Sequence, residues 1–170
     1  MRVLFINPAM EKYTRQVSFP LGMMSIATYL KSNGHVVKII DRTIKTTKIE
    51  KELESFKPDI VGVSVYSLKS FSDAEKVTLA AKKYGAKTVW GGIFASLDTE
   101  FVFRNIDVDF VSIGEGEATW LELVNIIEND GDISTICGLV SKLPWLYCAP
   151  SGEYAVTAIL FFEQYSISSF

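Results

Sequence analysis

Residues 59–65, DIVGVSV, form an apolar run without polar alternation. A strand that is apolar on both faces has to be covered on both sides, the condition of an inner strand in a parallel sheet flanked by helices. Four further short apolar runs, at residues 2–6, 36–40, 88–90 and 109–113, fit the same role. Helical spacing fills the gaps between them. Leu21, Met24, Ala27 and Leu30 follow Pro20 and stop at Gly34; Ile49, Leu53 and Phe56 stop at Pro58. Ser72 and Glu75 have the spacing of a capping box for a helix carrying Val77, Ala81 and Tyr84 and ending at Gly85. Residues 99–104 fit a short helix, and Trp120, Leu123, Val124 and Ile127 mark the apolar side of a last one. Strand and helix alternate five times. The expected fold class is α/β, a five-stranded parallel sheet with helices on both faces.

Residues 1–142 carry this pattern and residues 143–170 do not. In the second stretch the only charged residues are Glu153 and Glu163, and residues 154–162 are an apolar run too short to span a membrane. An extra strand, a dimer contact or a loose tail would each fit. So would a truncation, an altered reading frame or the junction to a missing catalytic domain.

Net charge is −3 and the lysines are interspersed with acidic residues, so no basic stripe for nucleic acid is expected. The first residues start directly as a strand and lack the features of a signal peptide, which points to a cytoplasmic protein without membrane attachment. Cys137 and Cys148 form neither a CxxC nor a four-ligand set and are expected as free thiols.

Ligands of open parallel sheets bind beyond the carboxyl ends of the strands. The loops there lack both GxGxxG and GxxxxGK, the loop after the first strand is a poor phosphate nest, and no aspartate ends the third strand. What stands out is Gly91-Gly92 in KTVWGGIFAS. Two glycines at a strand end make a tight turn, or they clear space for a ligand against the main chain. Glu115 and Glu117, at the start of the last helix, suit its dipole or could form an acid/base pair.

In order, FPLGMMSIATYLKSNGHVVKIID, DIVGVSVYS, KTVWGGIFAS and DFVSIGEGEATWLELV resemble the cobalamin (vitamin B12)-binding domain, in particular that at the N-terminus of cobalamin-dependent radical S-adenosylmethionine enzymes. The resemblance covers roughly residues 2–142 and implies a flavodoxin-like (Rossmann-like) fold with its strands in order 2-1-3-4-5. It implies that Ser64 matches the serine of the family's Ser-x-Leu element, with Tyr66 in the leucine position. It implies further that Gly91 and Gly92 line the slot for the nucleotide tail, and that Gly114, Glu115, Gly116 and Glu117 lie near the tail and corrin edge. The family's Asp-x-His-x-x-Gly element is missing, so the cobalt would lack a histidine ligand from this chain. The single histidine, His35, precedes the second strand and is expected to be structural.

The CxxxCxxC that would hold an iron-sulfur cluster beside S-adenosylmethionine is likewise not in the sequence, and residues 136–142 resemble the junction before that domain. The expectation is a cobalamin-binding module, non-catalytic as this chain, that works with a radical domain in cis or trans. A degenerate docking module with an empty site and a stand-alone small-molecule enzyme are the alternatives.

Overall fold

The computed structural model of the protein describes residues 1–10, 19–45 and 47–142. The five apolar runs become strands β1 (Arg2–Asn7), β2 (Val36–Asp41), β3 (Ile60–Ser64), β4 (Lys87–Gly91) and β5 (Phe110–Ser112). All pair in parallel, and the sheet order β2-β1-β3-β4-β5 is the one expected. A sixth strand, β6 (Leu139–Ser141), adds to β5 in the antiparallel sense. Three residues have no periodicity to read; beside the pairing, the carbonyl of Gly138 accepts the Ile113 amide at 2.8 Å.

The helices are α1 (Leu21–Ser32), α2 (Ile49–Phe56), α3 (Phe71–Lys83), α4 (Ile93–Leu97), α5 (Thr99–Asn105) and α6 (Gly116–Glu128). Strand side chains alternate between two apolar layers. Leu4, Ile6, Val61, Val63 and Trp90 pack on the layer that includes α2 and α3, whereas Val3, Phe5, Ile60 and Val89 pack under α1 and α6. Among the described residues, no helix is long and apolar enough to cross a membrane.

Three local expectations are corrected. Ser72 lies inside α3 and caps nothing, because the ring of Phe71 packs 5.5 Å from Trp90 and 5.7 Å from Phe101 and draws the helix start forward. The buried stripe of α1 is Met23, Ala27 and Leu30, while Leu21 and Met24 are exposed. Cys137 is disulfide-bonded rather than free, a pairing that its spacing did not signal. Cys148 and the stretch 143–170 lie outside the described residues.

Candidate functional site

Parallel pairing brings the ends of β1 to β5 to one edge of the sheet. On the α1 and α6 side of that edge lies a cavity of about 150 Å³. Its sheet wall comes from Phe5, Gly62, Ser64 and Gly91; Gly22, Met23 and Ile26 of α1 face it, and Gly114 and Trp120 close the α6 side. Gly62 and Ser64 share this wall because they are two residues apart on one strand, and Gly91 joins them because it pairs in register with Ser64.

The floor is aromatic. Phe5 and Trp120 meet edge to face at 4.6 Å, and a Cβ on Gly62 would fall 2.6 Å from a carbon of each ring. No side chain fits beneath them, so the centre of β3 needs glycine.

The paired glycines have separate roles. A Cβ on Gly91 would lie 3.8 Å from the Ser112 carbonyl oxygen, an ordinary contact, so the backbone would admit a side chain there and the glycine keeps that part of the cavity wall bare. Gly92 is held by the backbone: its φ is 94°, and a Cβ there would sit 2.9 Å from the Val65 carbonyl. That carbonyl accepts the Phe94 amide, while the Val65 amide donates to the Gly91 carbonyl at 2.7 Å. The turn therefore fixes Gly92 whether or not a ligand is near.

Of the residues singled out in the sequence, Ser64, Gly91, Gly92 and Gly114 come together at this cavity. Tyr66 does not line it; the residue lies past the end of β3 and is 63% exposed. Glu115 is the N-cap of α6 and Gly116 is buried, with Ile26 2.5 Å from where its Cβ would be. Glu117 accepts a hydrogen bond from the Ser25 hydroxyl of α1, which holds its carboxyl below the usual range. A general acid needs the opposite shift, so Glu117 ties α1 to α6 instead. Sequence reasoning missed Phe5, Gly22, Met23, Ile26, Gly62 and Trp120. Gly22, in the first turn of α1, carried little signal, since the cost of glycine applies to a helix interior.

The charged and polar groups away from the cavity are used internally. Arg42, buried just after β2, donates through Nε and Nη2 to both oxygens of Asp73 at 2.8 Å, and through Nη1 to the Thr47 carbonyl. Asp73 also accepts the Ala9 amide at 2.7 Å. Burial pushes the Asp73 carboxyl up, but the hydrogen bonds from Arg42 and Ala9 outweigh it and leave the group below its ordinary value. The same bond raises Arg42. Asn7 and Thr43 both donate to Asp41, closing the ends of β1 and β2. His35 is buried at the amino edge of the sheet, its Nδ1 3.3 Å from the Met1 amino group. Among the described residues no cluster of histidine, cysteine or carboxylate side chains is placed to hold a metal ion.

Residues 13–124 match the family model described as B12 binding domain. The chain is 31% identical over 152 residues to an uncharacterized methyltransferase, PH0819, of Pyrococcus horikoshii, an alignment covering 84% of this chain and 33% of that protein. It is 27% identical over 148 residues to the hopanoid C-3 methylase of Methylococcus capsulatus, covering 83% of this chain and 29% of the methylase. Thus the chain spans about a third of the length of the curated relatives it matches. Among solved structures, the radical S-adenosylmethionine methyltransferase TsrM from Kitasatospora setae, with cobalamin and a [4Fe-4S] cluster bound, superposes with a TM-score of 0.75 at 21% identity. That match covers 90% of this chain and 31% of TsrM. The cobalamin-dependent enzyme OxsB, with aqua-cobalamin and S-adenosylmethionine bound, gives 0.68 at 23% identity over 90% of this chain and 21% of OxsB. At these identities the two structures speak to the fold.

Proposed function

The chain belongs to the B12-binding domain family, and from that premise we propose that its cavity takes the nucleotide tail of cobalamin. Ser64, Gly91 and Gly114 would hold it at the carboxyl edge of the sheet, whereas His35 lies at the amino edge. One observation supports this reading most: an apolar slot with glycines on three of its sides opens at the carboxyl edge, where Gly91 leaves the room that any side chain would take. Cobalamin supplies methyl-transfer and radical chemistry when bound. The residues of this chain hold and orient it: Ser64 offers a hydroxyl at the mouth, Gly91 and Gly114 admit the tail, and the wall of Met23, Ile26 and Trp120 excludes water from the base.

An iron-sulfur cluster is a different matter. The chain has two cysteines, Cys137 and Cys148, and so lacks the three-thiolate set for it. The module then serves a radical S-adenosylmethionine domain in cis or trans, and the cobalt chemistry belongs to that assembly. A docking module is the second reading, supported by the exposed Leu21, Leu68, Ile93 and Leu97 in the segments that follow the strand ends.

The test is retention of hydroxocobalamin after mixing with purified protein and desalting, read from the corrin bands. The protein is expected to retain the corrinoid, and Gly91→Leu to lose it while keeping the far-UV circular dichroism of the parent. A parent protein that retains no corrin at micromolar concentration would contradict the proposal. A Gly91→Leu variant that still retains it would place the tail elsewhere.

A further inference from the structure

We infer that the slot selects its corrinoid by the chemistry of the lower base, preferring a bicyclic aromatic base without polar substituents, such as dimethylbenzimidazole, over a purine that carries an exocyclic amine. The inference rests on the reading that the nucleotide tail enters this slot, and it follows from the depth and lining of the wall.

Ser64 marks the mouth. Gly62 lies two residues back along β3, about 7 Å deeper at the rise of a parallel strand. There the rings of Phe5 and Trp120 close the floor directly on the Gly62 backbone. Sites that enclose whole small molecules measure about 300–1,000 Å³. At about 150 Å³ this cavity takes one ring system, with the rest of the ligand outside.

The wall also decides what that ring system can carry. An exocyclic amine needs an acceptor once it leaves water. Phe5 and Ile26 offer none, the Met23 thioether is a weak one, and the Trp120 indole only donates. Ser64 carries the one strong side-chain acceptor of the wall, and it stands at the mouth rather than the floor. The strand backbone below is committed to pairing between β1 and β3, where Phe5 lies opposite Gly62. A purine amine pressed to this floor gives up its water for nothing, which corresponds to a loss of affinity of roughly tenfold. Methyl groups on a benzimidazole gain from the same surface.

The experiment titrates the chain with three corrinoids in the hydroxo or aquo form, following visible absorbance: hydroxocobalamin, the analogue with adenine as lower base, and cobinamide, which has no nucleotide. Hydroxocobalamin is expected to bind about tenfold more tightly than the adenine analogue, and Gly91→Leu to bring both to the cobinamide value. Equal affinity for the two base-bearing corrinoids overturns base selection and leaves the tail slot standing. Equal affinity for all three, or a tenfold difference that survives Gly91→Leu, puts the base outside the slot. If none binds, the proposed function fails together with this inference.

Discussion

Thr78 faces the core from α3, where a hydroxyl needs two partners to justify its place. It has both: Oγ1 donates to the Ala74 carbonyl and accepts the Trp90 indole N–H, each at 2.8 Å. Trp90 is fully buried next to the turn that carries Gly91 and Gly92, so this bond fixes the residue that precedes the slot wall. Thr78→Val keeps the shape and strands the indole donor, and urea denaturation is expected to show a loss of about 1–3 kcal/mol. Thr78→Ser should recover most of it. None of this was legible beforehand, because a threonine on the apolar side of a helical pattern reads as an interruption until the tryptophan is in place. Gly91 and Gly92 are adjacent letters that read as one turn signal, yet a φ of 94° gives the second a backbone reason of its own.

At the scale of elements, the ion pair of Arg42 and Asp73 joins the end of β2 to the first turn of α3 and to the Ala9 amide beyond β1. Removing one charge of a buried pair leaves the other without compensation, so Asp73→Asn is expected to cost about 3 kcal/mol, at the low end for buried pairs, in urea melts at neutral pH. The pH dependence has a definite sign. The folded Asp73 carboxyl lies below its unfolded value, so the pair's contribution is complete above that unfolded value and fades as pH falls through the lowered folded one. Wild-type stability should therefore drop in that acid window by more than that of Asp73→Asn. The same helix explains the misplaced cap. The Ser72 and Glu75 spacing was a correct local signal overridden by the packing of Phe71 between α4, α5 and β4. In α1 the stripe moved by one residue to Met23, since the helix turns its buried side toward the slot and α6.

For the molecule as a whole, a ligand that binds only the folded state raises its stability by mass action. At a free corrinoid concentration of 100 times Kd the gain is about 2.7 kcal/mol, which for a domain of this size corresponds to a Tm increase of roughly 5–10 °C. Thermal unfolding with and without hydroxocobalamin measures it, and cobinamide should give less. The covered parallel sheet was readable because apolar runs of continuous character must be buried on both faces, whereas the strand order came with the family resemblance and not from the runs. The slot was half readable. Its mouth lies at strand ends, where glycine and serine stand out, whereas its floor joins Phe5, Gly62 and Trp120 from three distant parts of the chain through contacts that no local pattern encodes. The antiparallel β6 sets one further condition. Its Ser141 pairs with Phe110 at the start of β5, so the path leaves the sheet at the edge opposite the slot. Any segment following Lys142 that is to touch a ligand at the mouth must first travel back along the sheet, a reach of roughly five extended residues. A catalytic domain attached there would act as a tethered arm whose effective concentration at the cobalt depends on the length and stiffness of that return.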